Sequence, residues 1–382
     1  MSTSRPPLWR DVRVLRWVFQ LAVLAAVIAI VSVLYTNVQR NSERLGIPTG
    51  YGYLDNPAQF TIPNTDFRQT QPVEDAIRIG VGNTVRLSIA GIVLATLLGT
   101  IAGIARLSGN WLVRSTAAFY VETIRNIPLL LIIVFSYSGL ALTTFPRVEE
   151  AWQPGGVAIL SNRGVFVPWF EQGAVGLLLT LVVAAAATWA MLRWRREIAD
   201  RTGTRSRGGY YAAPIAAVIL VAGWLLSGVE LTVPELSERI TTGGQRLSPE
   251  LFAIGFSLII YTASHIAEIV RGSIQAVAHG QGEAAWALAL SPFQRMRDVV
   301  LPQAFRIALP PLGNQYLNLA KNSTLGAVVS YFELAKVTSI AVGNGAPAVP
   351  SYLLTLVIFL ILSLLLSGIV NLANRRLALV ER

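Results

Sequence analysis

The sequence predicts an all-α membrane protein with about eight transmembrane helices. Three observations carry that class. Of the 382 residues, 53% are hydrophobic and only 14% charged, and the mean hydropathy is +0.54, beyond the range of water-soluble domains. Apolar runs close to the ~20 residues needed to cross hydrocarbon recur along the chain. Arginine clusters fall where those runs end, as the topology of a multi-span protein requires.

Six runs are clear, near 17–36, 84–105, 174–192, 211–229, 251–270 and 352–372. Two more carry polar residues: 116–140 contains Glu122 and Arg125, and 307–331 contains Lys321. Polar groups inside a span are tolerated only against protein or water, so these two read as interior helices. The basic N-terminus, MSTSRPPLWRDVRVLRWVF, runs into an apolar segment too long for a signal-peptide core and without a small-residue cleavage site. It reads as a retained first span.

Arginines orient the set. They comprise Arg5, Arg10, Arg13 and Arg16; Arg106 and Arg114; the six arginines of RWRREIADRTGTRSRGG (193–209); three within 271–298; and Arg375, Arg376 and Arg382. With eight spans all five regions share one side, which the positive-inside rule makes cytoplasmic, both termini included. Loops 142–172 and 230–250 on the other side carry Glu149, Glu150, Glu230, Glu235, Glu238 and Glu250. Loops 37–80 and 142–172 are rich in Gly, Pro and aromatics. They read as ordered surface loops or short interfacial helices, available for docking something outside.

Several functions are disfavoured. With no cysteine there is no disulfide or thiolate metal site, and His265 and His279 are too few for a histidine metal site. The net charge of +10 comes almost wholly from arginines flanking apolar runs, since Lys321 and Lys336 are the only lysines. That distribution marks topology rather than a phosphate-tracking groove, and no nucleic-acid partner is expected. The spans contain no convincing nucleophile, base or metal set for an intramembrane enzyme. The phosphate-cradling pattern G-x-x-x-x-G-K-[ST] is absent, so nucleotide is not bound in that way.

The most informative stretch is EAAWALALSPFQRMRDVVLP, residues 283–302. A helical projection places Ala284, Leu288 and Ser291 on one face with Ala285 and Ala289 beside it, and Glu283 sits in the first turn, where the helix dipole favours a negative charge. Arg295, Arg297 and Asp298 follow at the rim. Such a small-faced helix suits insertion in a partner's groove, or it lies on the bilayer surface.

Further along, Asn314, Asn318 and Lys321 fall on much the same helix face, followed by Asn322, Ser323 and Thr324. A strip of amides with one cation suits a substrate carboxylate. The alternative is interhelical hydrogen bonding, with Lys321 paired to Glu122 or Glu268. Glu122 with Arg125, and Glu268 with Arg271, share the spacing Glu-x-x-Arg and read as structural ion pairs. His265 reads as a helix-packing hydrogen-bond donor. Pro310, Pro311 and Gly313 read as a hinge or a packing kink.

The 283–302 stretch resembles the cytoplasmic EAA loop of permease subunits of ATP-binding-cassette importers: Glu-Ala-Ala, three residues, Gly, nine residues, Ile-x-Leu-Pro. Here Glu283-Ala284-Ala285 opens it and Val299-Val300-Leu301-Pro302 closes it, with Ala289 in place of Gly and Val299 in place of Ile. The added methyl of Ala289 would alter the fit where the helix meets the ATPase. Residues 82–108, 120–131, 267–277 and 308–325 look like polar amino acid uptake permeases, with Arg125-Asn126-Ile127-Pro128 where that family has Arg-Gly-Thr-Pro. The extra parts resemble the larger permease subunit of general L-amino acid systems.

The resemblance implies a type I importer permease core in 81–140 and 251–375, with an N-terminal insertion (1–80), a central insertion (141–250) and a cytoplasmic tail (376–382). Within loop 272–302, Glu283, Ala284, Ala285, Ala289, Arg295 and Arg297 would meet the ATPase. The chain itself would be no enzyme and hold no cofactor. Two ATP-binding subunits would use ATP and Mg. A second, homologous permease would complete the path, and a periplasmic amino acid-binding protein would deliver substrate to the bacterial inner membrane. The competing reading is an ion-coupled secondary transporter working without an ATPase. Repeated broken helices and midplane coupling carboxylates would support it, and neither is legible in the sequence.

Overall fold

The computed structural model describes residues 12–172, 174–203, 208–226, 228, 230–237 and 240–377. Arg5, Arg10, Arg205, Arg207, Glu238 and Arg382, among the charges that orient the spans, lie outside the described residues.

Along the chain, α1 (Val12–Leu45), α2 (Val73–Ala105), α3 (Trp111–Asn126) and α4 (Leu129–Val134) come first, and α4 continues as a π-helical stretch, Phe135–Thr144. Strands β1 (Ile159–Ser161), β2 (Gly164–Val167) and β3 (Trp169–Gln172) lead into α5 (Ala174–Thr202) and α6 (Gly208–Leu226). Then come β4 (Glu230–Thr232), β5 (Glu235–Ser237), β6 (Ile240–Thr242) and β7 (Gln245–Leu247). The rest is helical: α7 (Pro249–Gln275), α8 (His279–Ala287), α9 (Pro292–Gln294) running through a π-helical turn (Arg295–Val300) into α10 (Leu301–Asn322), a 3₁₀ stretch (Ser323–Val329), α11 (Leu334–Gly343) and α12 (Ala348–Leu377).

Among the described residues, four helices are long and apolar enough to cross a membrane: Val14–Leu45, Val73–Ala105, Pro249–Gln275 and Ala348–Arg375. Counting Trp111–Asn126 with Leu129–Thr144, and Pro292–Val329 with Leu334–Gly343, as single broken spans raises the number to six. Pro214–Leu226 is a shorter apolar helix. The expected eight is not reached on this criterion.

Helix limits follow local chemistry. α2 starts at Val73 rather than near 84, with Glu74 and Asp75 in its first turn, where acidic side chains offset the dipole. Asn110 caps α3, its side chain accepting from the amides of Leu112 (2.9 Å) and Val113 (3.4 Å). The expected continuous span 116–140 is broken. Ile127 is extended (φ −95°, ψ 129°) ahead of Pro128, because the proline ring pushes the preceding residue out of the helical region. α3 and the following helix meet at 104°. By contrast α10 runs unbroken through Pro310 and Pro311, and Gly313 packs against Val370 of α12. These residues serve packing and make no hinge in this structure.

The chain divides into two compact units. The first comprises the chain up to Asn83 with Phe332–Leu366. Its core joins Tyr53, Ala58, Ile62 and Phe67 of the 46–72 loop to Val73, Ala76 and Ile77 of α2 and to Leu334, Val337 and Ala341 of α11. The loop is therefore ordered by burial. Glu333 is fully buried and caps α11, accepting from the amides of Ala335 (2.8 Å) and Lys336 (2.7 Å). Thr338 and Thr355 join α11 to α12 through their hydroxyls at 2.6 Å.

The second unit comprises Thr84–Tyr331 with the chain from Ser367. α7 is its hub, packing on α3, α4 and α10. Ser248 caps α7, with Pro249 at its first position. α2 approaches α7 backbone to backbone. A Cβ on Gly99 would lie 2.7 Å from the Ala263 carbonyl oxygen, and one on Gly103 2.7 Å from that of Ala267. Polar links tie in the neighbouring elements: Tyr120 of α3 donates to the Ile260 carbonyl of α7 (2.7 Å), Ser257 of α7 to Ser136 (3.1 Å), and the hydroxyls of Thr96 on α2 and Tyr316 on α10 lie 3.1 Å apart.

The outer segments 142–172 and 230–250 hold short strands, where an ordered surface loop or short interfacial helices were expected for 142–172. β2 pairs antiparallel with both β1 and β7, β3 pairs with β4, and β5 with β6. β-branched and aromatic side chains in GVFV and WFEQ favour such ribbons. The left-handed Gly243 and Gly244 (φ 71° and 66°) turn the chain between β6 and β7.

Gly103→Val places branched carbons against the Ala267 carbonyl and Val270, forcing α2 off α7. The expected loss is about 1–3 kcal/mol, read as a lower thermal midpoint of the detergent-purified protein. Gly82→Ala, with nothing within 4 Å of the added Cβ, should leave the midpoint unchanged or raise it.

Candidate functional site

Residues 279–302 fold as a helix, a tight reversal and a second helix. At the end of α8 the Ala289 amide donates to the Trp286 carbonyl (2.8 Å) and the Leu290 amide to that of Ala285 (3.1 Å). Together these form a Schellman closure. Ala289 occupies its left-handed position, with φ 53°. Ser291 then caps α9 by a reciprocal box: its hydroxyl accepts from the Gln294 amide (3.3 Å) and its own amide donates to the Gln294 side chain (2.9 Å). Pro292 at the first helical position suits the same start.

The side chains sort differently from the sequence projection. Glu283, Ala284, Ala289 and Arg297 are exposed and Arg295 is half-buried, whereas Ala285 is buried. α8 packs on the turn 295–300 of its own loop, so the small side chain of Ala285 lets the two arms of the loop close. The outward surface is large and apolar instead. Trp286, Leu288 and Phe293 are each more than 70% exposed. The helical projection placed Leu288 on the partner face but not Trp286 or Phe293, although an apolar side chain in a charged loop is itself a signal of contact. Glu283 lies 3.1 Å from His279 Nδ1, and Arg297 lies 3.8 Å from Asp298.

α10 presents the second group. Asn314, Asn318 and Lys321 are exposed along one stripe at i, i+4 and i+7, opposite buried Leu312 and Leu319. None of the three side chains has a hydrogen-bond or ion-pair partner among the described residues. The alternative, a pairing of Lys321 with Glu122 or Glu268, is not formed; arginines occupy both carboxylates. Asn322 is half-buried. Ser323 is buried, its hydroxyl donating to the Ala320 carbonyl (2.8 Å), and Thr324 donates to that of Lys321 (2.9 Å). These two hydroxyls are satisfied within their own helix and belong to the strip in sequence only. An ammonium facing hydrocarbon costs about 2.5–3.5 kcal/mol on insertion scales, so the Asn314–Lys321 face belongs against protein or water.

The third group is an ion network. Glu268 accepts from Arg271 and from Arg106, with Arg125 Nη1 3.7 Å away. Arg106 also donates to Glu122 at 3.2 Å. Glu122, Arg125, Glu268 and Arg271 thus come together, around an arginine read from the sequence only as a topological marker. His265 donates from Nδ1 to the Tyr261 carbonyl one turn back (3.0 Å), within its own helix.

Ala289→Gly removes a Cβ from the left-handed region and should stabilise the reversal by about 1 kcal/mol, seen as slower amide exchange at residues 286–290.

Residues 209–379 match the family described as the inner membrane component of binding-protein-dependent transport systems. The chain is 35% identical over 370 residues to the general L-amino acid transport system permease protein AapQ of Rhizobium johnstonii, covering 95% of this chain and 92% of that one. It is 36% identical over 321 residues to the glutamate/glutamine/aspartate/asparagine transport system permease protein BztB of Rhodobacter capsulatus, covering 73% of each. With several apolar helices long enough to cross a bilayer and a Glu283–Pro302 loop of the EAA pattern, the chain belongs to the amino-acid ABC transporter permeases.

Proposed function

We propose that the chain forms one half of a translocation path for L-amino acids, moved by a separate ATPase that grips the 279–302 loop. The exposed trio Trp286, Leu288 and Phe293 carries this reading. Aromatic and leucine side chains held out on a capped, two-armed loop fit a partner's apolar cleft better than water. Ala285 and the Schellman closure hold the arms together, so force on the trio reaches α7 and α10 rather than folding the loop.

The chain supplies no catalytic group in this scheme. Two ATP-binding subunits hydrolyse ATP with Mg. A second, homologous permease faces the Asn314–Asn318–Lys321 stripe across the path, which supplies the protein or water that the stripe requires. A periplasmic binding protein delivers the substrate. With eight spans, arginine placement would put both termini and the 279–302 loop in the cytoplasm. ATP binding closes the ATPase pair and turns the permeases outward, and hydrolysis returns them inward. Lys321 offers its ammonium, and Asn314 and Asn318 their amides, to the substrate carboxylate. Glu283, Ala284, Ala289, Arg295 and Arg297 form the rim of the ATPase contact, and Asn322 borders the path.

Reconstituted complex tests both halves. Trp286→Asp or Glu283→Arg should abolish substrate-stimulated ATP hydrolysis and uptake while the permease still folds. Unchanged stimulation in both variants would sink the coupling assignment. Lys321→Met should leave basal hydrolysis intact and raise the half-saturating substrate concentration roughly 10- to 150-fold, the equivalent of one charge-assisted hydrogen bond. A secondary transporter would instead accumulate substrate in vesicles holding this chain alone.

A further inference from the structure

Arg106 stands out because neither the family pattern nor the transport path assigns it a task, yet it is the most enclosed charge of its cluster. Its side chain is 12% exposed, and it sits immediately beyond the end of α2. One guanidinium nitrogen, Nη1, donates to Glu268 Oε2 on α7. The other, Nη2, donates to Glu122 Oε1 on α3 at 3.2 Å. Among the described residues no other side chain bonds both carboxylates. Arg271 serves Glu268 alone and passes on to Gln275, with Nη1 donating to Oε1 at 2.8 Å. Arg125 is farther from Glu268, at 3.7 Å.

The position of the fork matters. α7 ends at Gln275 and α8 begins at His279, so the network grips the last two turns of the helix that carries the ATPase-facing loop. Motion of α8 enters α7 through three residues. Whether α2 and α3 follow depends on what ties their ends to α7 there. Gly99 and Gly103 seat α2 against α7 by shape, and Ala102, Val121 and Ala267 bring α3 into that contact by apolar packing alone. Among the described residues, Arg106 is the one side chain bonded to acceptors on both α3 and α7 while fixed to α2.

We propose that Arg106 is a positioning residue for coupling: it binds the ends of α2, α3 and α7 into one body that moves with the coupling loop. The proposal rests on the ATPase-driven reading above. A planar guanidinium is suited to the task, because its forked donors address two carboxylates in fixed directions. A lysine ammonium supplies the charge without the fork.

The test uses the full complex in proteoliposomes, with amino acid accumulated per ATP hydrolysed as the readout. Arg106→Gln should assemble with the ATPase and keep basal hydrolysis within twofold, while transport per ATP falls at least tenfold. Arg106→Lys should recover at least a third of the native ratio, which a purely packing role would not produce. Glu122→Gln keeps Arg106 and Glu268 paired and removes only the more exposed partner, so it remains informative if Arg106→Gln fails to assemble. It should lower the ratio about threefold or more. A native ratio in a well-assembled Arg106→Gln or Glu122→Gln complex overturns the proposal. Absence of ATP-dependent uptake by the native complex would instead overturn the importer reading on which it rests.

Discussion

The close approach of α2 and α7 is the constraint on which the second unit depends. In hydrocarbon, apolar side chains gain little by leaving lipid, so helices pair through van der Waals contact and interhelical hydrogen bonds. Gly99 and Gly103 meet that need by presenting bare backbone to the carbonyls of Ala263 and Ala267. The small cluster of Ala102, Val121 and Ala267 brings α3 into the same contact. Three residues past Gly103 comes Arg106, and one residue past Ala267 comes Glu268. The shape match therefore delivers the charge pair, and the charge pair locks the ends that the shape match brought together.

Composition made the long apolar helices legible. α1, α2, α7 and α12 each contain a run that no soluble fold would carry. Tertiary geometry was less visible. The Ile127–Pro128 break had a local signal, the steric restriction before proline, but the apolar residues on either side read as one span. Strands of three or four residues leave too little alternation to detect, and β2 finds β7 some eighty positions later. Spacing of three exposed the Glu268–Arg271 pair, whereas Arg106 reaches Glu268 across 162 residues, beyond any local pattern.

The loop around Glu283 shows why a motif can be read correctly in outline and misread in detail. Spacing located the helix, the reversal and the second arm. The reversal, however, asks for glycine at position 289 because of its left-handed backbone, and the alanine methyl bears on backbone strain before it bears on any partner. Ala285, grouped with the outward small face, turns inward. On α10, periodicity placed Asn314, Asn318 and Lys321 on a common stripe. Ser323 and Thr324 escaped it because their hydroxyls bend back to carbonyls one turn earlier, a local competition that a helical wheel does not display.

The β2–β7 ribbon closes the central insertion at its base. Val167 lies opposite Gln245, so the entire detour between them departs and returns at neighbouring points. Its two long helices, α5 and α6, pack on each other. Such an appendage behaves as a cassette clipped onto a hairpin. It leaves and rejoins the fold at one doorway, beside the start of α7.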